Sequence, residues 1–168
     1  MKGHYVKKAP PFSLTLAATV RAALEIEAKD KPCSLTDLCQ LILERHVLAA
    51  GYLDDADANA LRVMRELVSA AVEAAQRIRD DEGLIPDITD RAIRDCIADR
   101  DWLAKYAAFV QDDPFKSGVP GKRDINQNIG YWIKRSLGAK TIIDNKGKPA
   151  NVKVLASIIQ SYTPLKPA

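Results

Sequence analysis

The stretch from Asp55 to Asp80 constrains this chain most, because its apolar residues recur at three- and four-residue spacing along its whole length. Leu61, Met64, Leu67, Val68, Ala71, Ala75 and Ile78 form one stripe, while Arg62, Arg65, Glu66, Glu73 and Arg77 take the opposite side. At about 1.5 Å per residue such a helix is a rod of roughly 39 Å. A rod with one apolar face needs cover, either from other helices in a bundle or from a second copy in a homodimer.

Helices to cover it are available. Leu14 to Ala28 places Leu16, Val20, Ala23, Leu24 and Ala28 at helical spacing, and Pro32 separates it from the next element. Ser34 and Asp37 stand at the spacing of an N-terminal capping arrangement, and Leu35, Leu38, Cys39, Ile42 and Val47 follow before Gly51. Beyond the long rod, Gly83 to Pro86 is a stop, and Asp87 or Thr89 starts a helix carrying Ile88, Ala92, Ile93, Cys96 and Ile97. Arg100 then falls where the stripe wants an apolar residue. This predicts a break near Asp99 to Asp101, or one bent helix, before Leu103, Tyr106, Ala107 and Val110.

At 168 residues, 47% hydrophobic and 28% charged, the chain has the composition of a folded globular protein that needs no metal or disulfide. Cys33, Cys39 and Cys96 contain no C-x-x-C pair, and His4 and His46 stand apart, so neither metal-ligand spacing nor a cofactor motif emerges. An odd number of cysteines without such a pair fits a reducing cytoplasm. Residues 1–13 read as a basic arm ended by Pro10 and Pro11. Its Lys7 and Lys8 precede an apolar run that Arg21 interrupts, so an export signal is not expected. No apolar run approaches the roughly 20 residues of a membrane helix.

Charge is sorted by position. Residues 114–168 carry ten Lys or Arg against two acids, net +8, whereas residues 32–113 carry nine against seventeen, net −8. Clustered cations of this kind attract polyanions over about 8 to 10 Å in ordinary salt. The change of sign coincides with Asp112 to Arg123, a loop punctuated by Pro114, Gly118, Pro120 and Gly121. The expected fold class is therefore mainly α. An acidic helical bundle over residues 14–112 would precede a small basic α/β module over residues 113–168.

Within that module the sequence predicts a helix over residues 124–137, capped by Asp124 and closed by Gly138. Ile125, Ile129, Trp132, Ile133 and Ser136 gather on one face, and Gln127, Tyr131, Lys134 and Arg135 on the other, with Asn128 at its margin. A β-hairpin over residues 141–155 follows, with its turn at Asn145 to Gly147 and with Lys146 and Lys148 near the tip. A short element from Ser157 to Tyr162 ends the pattern.

Gln and Asn suit adenine edges, Arg and Lys suit guanine or phosphate, and Tyr can hold a phosphate or pack on a sugar. The candidate nucleic-acid contacts are accordingly Lys122, Arg123, Gln127, Asn128, Tyr131, Lys134, Arg135, Lys146 and Lys148. A helix followed by a basic hairpin is also the element order of a winged helix-turn-helix, with the hairpin as wing. Against this, an eleven-residue loop replaces the usual tight turn between the two helices of such a unit.

Other chemistries lack support. Gly118 to Arg123 has two residues between its glycines where a P-loop has four, and Arg123 stands where that loop needs Ser or Thr. A KH-type RNA clamp needs a different order of strands and helices. A metal-dependent nuclease needs converging carboxylates, yet the basic segment has only Asp124 and Asp144. The expectation is a non-catalytic regulator or accessory factor that binds double-stranded DNA, with RNA as the other candidate polyanion. The alternative is an interaction adaptor whose basic segment docks on an acidic protein surface, or on the chain's own acidic bundle.

Overall fold

The computed structural model describes residues 13–31 and 33–168, so residues 1–12 of the expected basic arm lie outside the described residues. The chain is mainly helical, with small strand pairs at its C-terminal end. Its helices are α1 (Ala18–Asp30), α2 (Leu35–Ala50), α3 (Asp55–Glu82), α4 (Ile88–Ala98), α5 (Arg100–Val110) and α6 (Lys122–Ser136). The strands are β1 (Lys140–Thr141), β2 (Val152–Lys153), β3 (Ser161–Tyr162) and β4 (Leu165–Lys166). Contacts divide the described residues into two compact units, one within residues 13–59 and the other from Ala60 to Ala168.

In the first unit α1 and α2 lie against each other. The expected capping box is present: Ser34 Oγ accepts from the Asp37 N–H at 3.1 Å, and Asp37 Oδ2 accepts from the Ser34 N–H at 3.1 Å. Gly51, in the left-handed region at φ 70°, closes α2 because a side chain would be strained there. The apolar stripe expected for α1 is only partly buried, with Leu16 and Leu24 half-buried. Val20 is 48% exposed and Ala23 is exposed, while Ala28 and Leu38 are buried. Replacing Ser34 by alanine leaves the Asp37 N–H without its acceptor and lowers the stability of α2 by about 1 kcal/mol. Faster hydrogen exchange confined to its first turn is the expected reading.

The second unit is built on α3. Leu67, Val68, Ala71, Ala75 and Ile78 are buried within this unit as the periodicity requires, while Leu61 and Met64 are half-buried. Gly83, at φ 81°, ends the rod. The disturbed register at Arg100 is a true break: Asp99 adopts an extended conformation and its Oδ1 accepts from the N–H groups of Asp101 and Trp102, at 2.9 and 3.3 Å. The cap restarts the helix and turns Arg100 to solvent. Trp102 then stacks on Tyr106 with ring centroids 5.3 Å apart and donates from Nε1 to the buried Leu67 carbonyl at 3.2 Å.

The charge boundary near Asp113 is not a packing boundary. Ile125, Ile129 and Ile133 from α6, with Ile158, Ile159 and Leu165 from the C-terminal segment, share one core with α3, α4 and α5. The apolar positions on both sides of the loop belong to a single buried cluster, which the composition shift conceals.

The hairpin expected over residues 141–155 is rearranged. Strand β2 pairs antiparallel with β3, with Val152 opposite Tyr162, and β1 pairs antiparallel with β4, with Thr141 opposite Leu165. Only a narrow stub remains between them, bridged at Ile143 and Pro149. Asp144 Oδ1 accepts from the N–H groups of Lys146 and Lys148 at 2.8 and 3.0 Å and holds the tip in its turn. Burial explains the repairing: Ile158, Ile159 and Leu165 pull the last residues onto the core, and these supply the strand edges that β1 and β2 take. The Leu165 N–H donates to the Pro86 carbonyl at 3.0 Å and ties β4 to the segment after α3.

Candidate nucleic-acid interface

Helix α6 begins earlier than its sequence suggests. Gly121, at φ 82°, is the N-cap residue, so Lys122 opens the helix and Asp124 sits in its first turn without capping it. The helical step nevertheless separates the two faces as expected. Ile125, Ile129 and Ile133 are buried, whereas Arg123, Gln127 and Tyr131 are exposed.

That polar face is one wall of a cleft of about 650 Å³. Arg123, Asn126, Gln127, Gly130, Tyr131 and Lys134 run along it at intervals of three and four, one stripe of an α-helix. The C-terminal segment around Gln160, Ser161, Tyr162 and Thr163 also lines the cleft, as does the loop at Ser117 to Val119, and the buried Ile93, Ile158 and Leu165 lie beneath its floor. Among the described residues no Asp or Glu lines it, while Lys122, Arg123 and Lys134 do.

The sequence-based candidates separate into three groups. Arg123, Gln127, Tyr131 and Lys134 meet in the cleft. Lys122 also borders it but is 6% exposed, and its ammonium donates to the Lys116 carbonyl at 2.7 Å. Burial holds that ammonium below the ordinary lysine range, with Asp113 opposing the shift. This residue anchors the loop rather than reaching solvent as a phosphate contact would. Asn128 points elsewhere, its Nδ2 lying 3.6 Å from Met64 Sδ on α3. Arg135 lies over the Tyr131 ring, 5.9 Å from its centroid, and Lys146 and Lys148 are exposed at the hairpin tip, outside the cleft lining.

Two residues outside that set complete the stripe. Asn126 Oδ1 accepts from the Tyr106 hydroxyl at 2.8 Å, and its Nδ2 donates to the Ile158 carbonyl at 3.2 Å. One side chain thereby links α5, α6 and the opposite wall. Burial pushes the Tyr106 phenol well above its ordinary range, against the hydrogen bond to Asn126, so it remains a donor at neutral pH. Gly130 is the other. Glycine in a helix interior costs roughly 0.5–1 kcal/mol relative to alanine, yet a Cβ placed here would meet nothing within 4 Å.

Burial pushes the Cys96 thiol up to about 12, so it is not a thiolate at neutral pH. Among the described residues no three His, Cys, Asp or Glu side chains converge as a metal site would require, and no helix is long and apolar enough to cross a membrane. Comparison with protein-family models, with curated proteins and with solved structures yields no match to this chain.

Proposed function

We propose that this chain is a non-catalytic nucleic-acid-binding protein, a regulator or accessory factor, whose contact surface is the α6 cleft together with the basic hairpin tip. One observation carries the reading: Arg123 and Lys134 stand at opposite ends of a stripe in a cleft free of carboxylates among the described residues. They stand eleven positions apart, about 16 Å along the helix axis. Neither makes an ion pair among the described residues, so their charge is available to a ligand. The amide of Gln127 and the hydroxyls of Ser161 and Thr163 add donors and acceptors between the charges. A winged-helix contact would need residues 141–155 to fold as a self-paired wing. Here β1 and β2 pair with the C-terminal strands instead, which favours contact through the cleft.

The test is a salt titration of binding to fluorescent oligonucleotides, double- and single-stranded. Phosphate contacts release counterions, so log affinity falls linearly with log salt, by roughly 0.7 to 0.9 per contact. Contacts from Arg123, Lys134, Lys146 and Lys148 lead to an expected slope near −3. No binding to either form at low salt contradicts the reading. Salt-sensitive capture of an acidic peptide in place of nucleic acid would return the chain to the adaptor class.

A further inference from the structure

We infer that the α6 cleft takes an unpaired stretch of a nucleic-acid strand, with one base seated against Gly130 and the flanking phosphates at Arg123 and Lys134; this rests on the nucleic-acid reading and specifies its ligand. Shape is the first argument. A helix that reads a duplex must project far enough to enter a major groove about 12 Å wide. The polar stripe of α6 instead shares a cleft with the C-terminal segment, and a single strand is the form of nucleic acid that enters such a recess.

Gly130 is the second argument, independent of the first. Packing does not require a glycine there, since an added Cβ would touch nothing within 4 Å. Its effect is a gap in the middle of the stripe, between Gln127 on one side and Lys134 on the other. A planar group can approach the helix backbone through that gap, as close backbone approach is one of the uses of glycine.

The surroundings suit a base rather than a bare anion. Tyr162, half-buried, gives ring surface for apolar contact, while Gln127, Gln160 and Ser161 offer both donors and acceptors. Watson–Crick edges are open to such groups only when the base is unpaired. Tyr131, 40% exposed, supplies an aromatic surface at the edge of the cleft. The Trp132 ring meets it edge-on at 5.6 Å and Arg135 lies over it, so the ring is held for stacking.

The test compares wild type with Gly130→Ala by fluorescence anisotropy, using a 20-nucleotide oligo-dT strand, a 20-base-pair duplex and thymidine monophosphate, with melting temperature measured alongside. Wild type binds the strand at least tenfold more tightly than the duplex and than the mononucleotide. The Gly130→Ala variant melts about 2–5 °C higher yet binds the strand at least fivefold more weakly. A structural role for the glycine would move both readings downward. Equal or tighter binding of duplex, or an unchanged strand affinity in Gly130→Ala, overturns the inference while leaving nucleic-acid binding standing. Mononucleotide affinity matching that of the strand also overturns it, in favour of a free nucleotide. Absence of binding to all three probes at low salt overturns the inference and the broader reading together.

Discussion

Replacing Trp102 by alanine lowers the unfolding free energy of the unit from Ala60 to Ala168 by about 3–5 kcal/mol, the usual range for loss of a buried tryptophan. Three consequences combine at this position. The cavity left beside Tyr106 removes the stacking partner of a fully buried ring. The Leu67 carbonyl loses its Trp102 donor in a buried setting. Tyr106 in turn holds Asn126, so loosening its ring also loosens the Asn126 bond to the Ile158 carbonyl. Trp102→Phe keeps most of the packing and removes the N–H, which costs about 1–3 kcal/mol. Denaturant unfolding followed by circular dichroism separates the two variants, and an alanine cost below about 1 kcal/mol would contradict the packing described for α3 and α5.

Removing Arg123 and Lys134 together weakens oligonucleotide binding at least tenfold at low salt and reduces the salt slope by about 1.5 to 2. Both side chains reach the cleft, and neither is buried, so stability should change by no more than about 0.5 kcal/mol. Lys122→Ala is the informative contrast. Its ammonium is committed to the Lys116 carbonyl, so its loss loosens the loop before α6 and acts first on stability. Equal binding losses in the two variants without any stability difference would contradict the division of roles among these cations. The slope distinguishes a lost phosphate contact from a distorted site, because only the contact changes the number of counterions released.

The helical elements were legible where periodicity and local chemistry agree. The stripe of α3, the capping box at Ser34 and the break at Asp99 follow from residue types acting within one helical turn of themselves. The apolar and polar faces of α6 were legible for the same reason, and with them the grouping of Gln127, Tyr131 and Lys134; Arg123 joins them because the helix starts earlier than its sequence suggests, and Arg135 lies outside the cleft lining. The strand pairing was not legible, because Val152 and Lys153 can pair with any extended neighbour. Burial of Ile158, Ile159 and Leu165 selects Ser161 and Tyr162 as the partners. Composition was a poor guide to packing at Asp113, since surface charge changes there while the core beneath continues. Lys122 was misjudged through its position: a lysine before a helix looks solvent-facing until the loop folds back over it. Gly130 carried a readable signal, a helix-breaking residue within a helical stripe, whose meaning emerges only once the cleft is seen beside it.

Backbone amide shifts followed by NMR during titration with a short oligo-dT strand locate the ligand on the protein without altering it. A strand seated in the cleft perturbs amides concentrated between Arg123 and Lys134 and between Ile158 and Thr163, the two stretches that line it. Weaker changes are expected at Lys146 and Lys148. Shifts confined to the hairpin tip, or spread over α1 and α2 with the cleft residues unmoved, would contradict that seating.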